Sequence, residues 1–289
     1  MNDTELQNVR RIQEKLLEIL LYFQEFCEAH GLSFTLAGGT LLGAARNGGF
    51  VPWDDDADVF MLREDYEKLG PLWEQYADRD RYTYLRSDEK INIRHAAAEI
   101  RDNHTTFITR HNADLDIHQG LMLDVIPLDD VGHSKARRCA QMAASMVYCC
   151  FNFQRLPEHK GKLTVAATRA GLALVQDPKT RYRIWKGAER DVIRLGDKDS
   201  GLVASFGEGA TIMRQRFPRK WFENPVYLDF EGHPMPCPAD YDRWLTVSYG
   251  NYMEFPPEEE QVARHDIVFM DLDRPYTEYR GIYYCTDRT

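Results

Sequence analysis

Apolar residues recur at helical spacing through the first thirty positions. Leu6, Val9, Ile12, Leu16, Ile19, Leu20 and Phe23 fall on one face, which predicts a single amphipathic helix over 4–30 with Gly31 as its stop. The pattern then shortens. SFTLA (33–37) is a brief apolar run between Gly31 and Gly38 and predicts a strand; Gly38-Gly39-Thr40 follows, and LLGAAR after it holds good helix formers. Residues 64–77 read as a helix with Pro71 disturbing its middle, and strands are expected around 82–86, 96–101 and 121–126. From 134 to 195 the pattern is helical, with 145–153 and 163–175 strongly apolar. These helices would cover the sheet, or alternatively rest an apolar face on a membrane surface, although that face lacks the dense Lys/Arg border of a surface binder. The expectation is an α/β (α+β) fold, a mixed sheet with flanking helices and a helical appendage. Residues 1–133 would form the core, 134–200 the appendage, and 201–289 a C-terminal part completing the active site; one compact domain overall is the alternative.

One segment breaks the pattern of alternation with charge. VPWDDDADVFM (51–61) places four aspartates in five positions and runs straight into apolar residues. In an extended chain Asp54, Asp56 and Asp58 share one face, while Asp55, Ala57 and Val59 share the other. Two carboxylates about 4 Å apart repel by roughly 4 kcal/mol at an effective dielectric near 20. Such a row stays solvated as a turn, shares a proton, or surrounds a hard cation such as Mg²⁺ or Mn²⁺. A calcium loop fits poorly, because its sixth and twelfth positions would be Val59 and Asp65 instead of glycine and glutamate. The glycine pair about 15 residues upstream, between a strand and a helix start, lets backbone N–H groups approach a phosphate, and the acids can hold the metal that bridges it.

GGTLLGAARNGGFVPWDDDADVF (38–60) resembles the signature of the LicD family, a branch of the nucleotidyltransferase-fold superfamily. Its members include bacterial phosphocholine transferases and, more distantly, fukutin-type ribitol-phosphate transferases. GLMLDVIPLDDV (120–131) is similar to the family's second block, and FEGHPMPCPADYDRWLTVSYGNYMEFPP (230–257), with His265 soon after, to its third. The resemblance implies a nucleotidyltransferase-like core in which Gly38, Gly39 and Thr40 cradle donor phosphates and Asp56 and Asp58 are the metal pair. Asp54 is then the additional family acid, and Asp124 the third carboxylate. Read without the family, Asp124 could equally be an exposed strand residue. The implied chemistry is Mg²⁺-dependent transfer of a phosphoalcohol, phosphocholine first, from CDP-choline or another CDP-alcohol to a glycan or lipid-linked glycan, releasing CMP. Asp124 is the expected proton acceptor and Asp54 the alternative. The same cradle would serve nucleotidyl transfer with pyrophosphate release, or a silent nucleotide-binding module.

Composition narrows the partners. The net charge of −10 argues against nucleic acid and removes global steering of an anionic donor, so local cations must handle phosphates. Arg46, Arg94, Arg101 and the cluster RQRFPRK (214–220) are the candidates; Arg101 is preferred because it would end a strand beside the acid-bearing sheet. The C-terminal block is rich in aromatics, whose faces could hold a quaternary ammonium. Trp53 and Tyr249 are the rings singled out. His265 would contact a phosphate or ribose, or simply sit at the surface. With no secretory signal, no apolar run of the ~20 residues a bilayer span needs, and six cysteines lacking zinc-type spacing, a cytoplasmic chain is expected, with peripheral contact at the inner membrane face as the alternative.

Overall fold

A computed structural model describes residues 3–155, 162–207, 212–263 and 265–286. Residues 156–161, inside the expected helical stretch, lie outside the described residues. In chain order the elements are α1 (Asp3–His30), β1 (Thr35–Leu36), α2 (Gly38–Asn47), β2 (Asp58–Leu62), α3 (Arg63–Tyr76), β3 (Tyr82–Leu85), β4 (Ala98–Asp102), β5 (Thr106–Thr109) and β6 (Met122–Asp130). Three helices follow, α4 (Lys135–Phe153), α5 (Lys162–Leu174) and α6 (Pro178–Leu195), then β7 (Leu202–Ala204) and β8 (Phe217–Pro218). The chain continues through α7 (Lys220–Glu223), β9 (Val226–Phe230), β10 (His233–Cys237), α8 (Tyr241–Tyr249) and β11 (Ile267–Asp271). The fold class is α+β. The chain divides into two compact units: residues 1–85, 99–125 and 220–289 form the first, and residues 86–98 and 126–219 the second.

In the first unit the strands lie in the order β1-β2-β6-β4-β3, with β6 contributing its residues up to Val125. β1 and β2 pair antiparallel, Thr35 opposite Phe60, as do β3 and β4, Thr83 opposite Arg101. The apolar stripe of α1 is the centre of this core: Ile12, Leu16, Ile19, Leu20 and Phe23 are each no more than 1% exposed. Its rings meet those of α3 and β3, with Phe26 and Trp73 centroids 4.6 Å apart and Tyr22 and Tyr82 4.7 Å apart. Gly31 ends α1 in the left-handed region (φ 63°), where a side chain would be strained. α3 runs continuously through Pro71. Two antiparallel pairs were not legible in the pattern: β5 with β11, and the β9–β10 hairpin.

In the second unit, α4 and α6 pack on one another, with Tyr148 and Trp185 ring centroids 6.0 Å apart. Asp129 at the end of β6 lies opposite Ala204 of β7, and Val203 lies opposite Phe217 of β8. The side of α4 that is buried carries Gln141, Ser145 and Asn152 as well as Tyr148. Burying an amide is tolerable only when its hydrogen bonds are met. Gln141 meets them, donating to the carbonyls of Asp130 (2.8 Å) and Val192 (3.0 Å) and accepting from the Gly132 N–H. Glu189 is likewise buried, and is paired with both Arg86 (2.6 Å) and Lys186 (2.5 Å). Among the described residues, no helix is long and apolar enough to cross a membrane.

Leu16→Ala should cost about 3 kcal/mol in chemical denaturation, because it opens a cavity in the α1 seam. Leu6→Ala, at a position 40% exposed on the same helix, should cost less than about 0.5 kcal/mol.

Candidate active site

The glycine pair and the acidic run meet at the start of α2. Ala37 is extended and caps α2 with no side-chain hydrogen bond, leaving the first N–H groups to other partners. Gly38 takes φ 51°, which a residue with a side chain rarely adopts. A Cβ on Gly38 would stand 2.7 Å from Asp58 Oδ2, and one on Gly39 would collide with Asp54 Oδ2. The pair is therefore glycine because carboxylates lie directly on its backbone. Thr40 Oγ1 accepts from the Asp58 N–H at 2.9 Å, and the Ala37 N–H donates to the Asp58 carbonyl at 3.0 Å. The Thr40 hydroxyl is thus buried and holds the first residue of β2.

Residues 54–57 belong to no regular element, and their shape comes from outside. Gln13 of α1, 3% exposed, donates through Nε2 to the carbonyls of both Val51 and Asp54 at 2.9 Å. Upstream, Glu231 at the tip of the β9–β10 hairpin accepts from the Phe50 N–H (3.1 Å) and is held by both Arg10 guanidinium nitrogens (3.0 and 2.8 Å). One strand over, the Asp124 N–H donates to the Ala57 carbonyl at 2.9 Å, which sets the third acid beside the run. Asp55, Ala57 and Val59 are buried and Asp56 and Asp58 partly exposed, as alternation requires; Asp54 departs from it and is buried. Among the described residues, the ligand atoms of Asp56, Asp58 and Asp124 do not all come within 4.8 Å of one another. Mutual repulsion favours that spread.

His265 joins these acids through Asp55. Its Nδ1 lies 3.1 Å from Asp55 Oδ1, and its backbone N–H donates to Oδ2 at 3.3 Å. Burial pulls the imidazole pKa down, but the hydrogen bond and charge of Asp55, with the charges of Asp56 and Asp124, carry it up to about 9. At neutral pH the ring is a cation. Sequence reading placed Asp55 on the face opposite Asp54, Asp56 and Asp58 and gave it no task; the signal that would have assigned one, its pairing with a residue 210 positions away, is not local.

The other expected residues are distributed differently. Arg101 does end β4, but it is 0% exposed, pairs with Glu99 at 2.7 Å, and donates to the carbonyls of His118 (2.6 Å) and Gly120 (3.3 Å). Its charge is paired with Glu99 inside the unit, while its Nη2 is buried and meets no acceptor. Glu99, not foreseen, places an oxygen within 4.8 Å of an Asp124 ligand atom. Of the 214–220 cluster, Arg219 is buried in the second unit against Asp130 at 2.7 Å. Arg94 also belongs to that unit. Trp53 packs edge-on to Phe255 (6.0 Å), with the Arg46 guanidinium 5.9 Å from its ring and 4.4 Å from that of Phe255. Tyr249 is half exposed and packs against Trp244 at 6.3 Å, in a separate ring group that includes Phe60.

The His265–Asp55 pair makes stability depend on pH in a defined direction. Because the folded pKa is raised, the contribution is complete below about pH 6.5 and is lost as pH rises through about 9, a span worth on the order of 3 kcal/mol. Metal-free thermal unfolding between about pH 6 and about pH 10 should show this decline. His265→Ala should flatten it.

Comparison with known proteins agrees with this geometry. Residues 31–119 match the family model described as LicD/FKTN/FKRP, nucleotidyltransferase domain. The chain is 27% identical over 270 residues to the lipopolysaccharide cholinephosphotransferase LicD of Haemophilus influenzae, covering 89% of this chain and 96% of that protein. It is 46% identical over 50 residues to the human ribitol 5-phosphate transferase FKRP, a match covering 17% of this chain and only 10% of the relative. Mannosyltransferase regulator 4 of Saccharomyces cerevisiae is 26% identical over 132 residues, 44% of this chain and 11% of that protein. The matched segment holds the glycine pair, the acidic run, Glu99 and Arg101 together, and over residues 31–119 the chain is similar to the nucleotidyltransferase domain of the LicD/FKTN/FKRP family.

Proposed function

We propose that this chain is a transferase that moves a phosphoalcohol, phosphocholine foremost, from a CDP-linked donor to a glycan hydroxyl and releases CMP. The observation that carries the reading is the contact of the glycine pair, at the start of α2, with Asp54 and Asp58. With no Cβ on either glycine the two carboxylates sit against the backbone, and a divalent cation held by the acids would draw the donor diphosphate to this turn. The lipopolysaccharide cholinephosphotransferase that aligns over most of the chain supports phosphocholine as the group moved.

The acids suit a magnesium ion. Asp56, Asp58 and Asp124 offer only oxygen ligands, the donor set of Mg²⁺ or Mn²⁺, and the glycine pair lets the Asp54 and Asp58 carboxylates close up against its backbone. When bound, the ion neutralises charge developing on the phosphoryl oxygens and the leaving phosphate.

Around it the residues divide the work. Asp124 accepts the proton of the attacking glycan hydroxyl as the new O–P bond forms, with Asp54 the second carboxylate in reach of the glycine turn. The bond from that phosphorus to the bridging oxygen breaks, and CMP leaves as a phosphate monoester. His265, held by Asp55 and protonated at neutral pH, presents positive charge to the departing phosphate.

Incubation with CDP-choline, Mg²⁺ and a glycan panel should release CMP, with EDTA abolishing it. Pyrophosphate release would overturn the assignment, and CMP release from CDP-glycerol or CDP-ribitol alone would reassign the alcohol. Asp56→Ala or Asp58→Ala should reduce transfer by about three orders of magnitude or more. In metal-free buffer neither substitution should lower the melting temperature, because each removes a like-charge neighbour.

A further inference from the structure

Arg46 and Arg101 each bury an Nη2 that meets no acceptor, but only Arg46 lies over an exposed aromatic ring at the surface of the first unit. It is in the last turn of α2, and side chains on a helix lean toward its N-terminus, so Arg46 reaches back toward the acids. Asp54, whose carboxylate lies on Gly39, is the charge that acts on it, against a burial that depresses its pKa. Nε donates to Asn47 Oδ1 (3.2 Å) and Nη1 to the Tyr252 carbonyl (3.2 Å). Nη2 is shut off from solvent and meets no acceptor. The guanidinium lies over the Phe255 ring at 4.4 Å and near the Trp53 ring at 5.9 Å. Phe255 is 54% exposed, so the cluster sits at the surface of its unit.

A guanidinium donor withdrawn from water without an acceptor is costly, and it marks a place where an anion is missing or a water sits. Water would not need the rest of the arrangement. Two rings and a carbonyl hold the planar group in one orientation, which is how an arginine is prepared for a phosphate oxygen. The rings themselves are already engaged by a cation, so a quaternary ammonium would find their faces taken.

We infer that Arg46, held between Trp53 and Phe255, is a phosphate-binding residue of this site, and that these two rings orient the arginine and do not cage choline. The inference rests on the transfer reading only for the identity of the ligand: a phosphate ester oxygen, from the donor diphosphate or from a phosphate on the acceptor.

Calorimetric titration with CDP in the presence of Mg²⁺, and with inorganic phosphate, tests it directly. Arg46→Ala should weaken both by about tenfold or more, with cytidine binding and melting temperature unchanged. Arg46→Lys should recover little, since an ammonium lacks the planar fork; it also serves as the readable variant if Arg46→Ala does not fold. Phe255→Leu, which keeps the cation but removes its support, should give a smaller loss of the same kind. A rise in KM for the donor alone assigns the donor diphosphate, and a rise confined to phosphorylated acceptors assigns the acceptor. Unchanged phosphate and CDP affinities in a folded Arg46→Ala would overturn the inference, and so would tighter choline binding by that variant. A wild-type chain that binds CDP through Arg46 yet releases no CMP leaves this inference standing and removes the transfer reading instead.

Discussion

Four carboxylates compressed into five residues repel one another, and the first unit is organised around holding them where they are. No regular element does this, because the acids at 54–56 precede β2. The restraint is assembled from distant segments. Gln13 comes from the first helix, Glu231 from a hairpin tip, and the Asp124 N–H from the next strand, each fixing backbone and leaving the carboxylates themselves in place.

The charge balance follows the same division. A chain of net charge −10 has no general attraction for an anionic donor. Positive charge is instead supplied singly, at His265 through Asp55 and at Arg46 over the Trp53 and Phe255 rings. Arg101 and Arg219 are consumed inside their own units by Glu99 and Asp130. An arginine beside an acid can be substrate-binding or structural, and only its remaining donors and exposure separate the two.

Much of this was legible before any coordinates. The stripe of α1 and its glycine stop followed from a period of 3.6, and the shared face of Asp55, Ala57 and Val59 from a period of 2. The glycine pair and the acidic run identified themselves by type and spacing. What escaped the sequence was non-local. Thr106–Thr109 is too short and too polar to announce a strand, and it becomes one through pairing with Ile267–Asp271, some 160 positions later. β1 shrank to two residues because α2 begins at Gly38 itself. Asp54 left its expected face because it precedes the strand, and Gln13 draws its carbonyl inward.

By itself, then, the amino-acid order singled out the residues for which a chemical role is proposed: a turn without side chains, a row of acids, and a lone Asp124 between two buried apolar neighbours. These are local statements, settled by side-chain type and backbone period. Only the tertiary structure decided which charges are available. Whether Asp55 holds an imidazole, whether Arg101 faces inward and whether Arg46 keeps a donor to spare depend on partners tens to hundreds of residues away. Pair energies of that kind are set by distance in space and by burial, and neither quantity is written in the order of the chain.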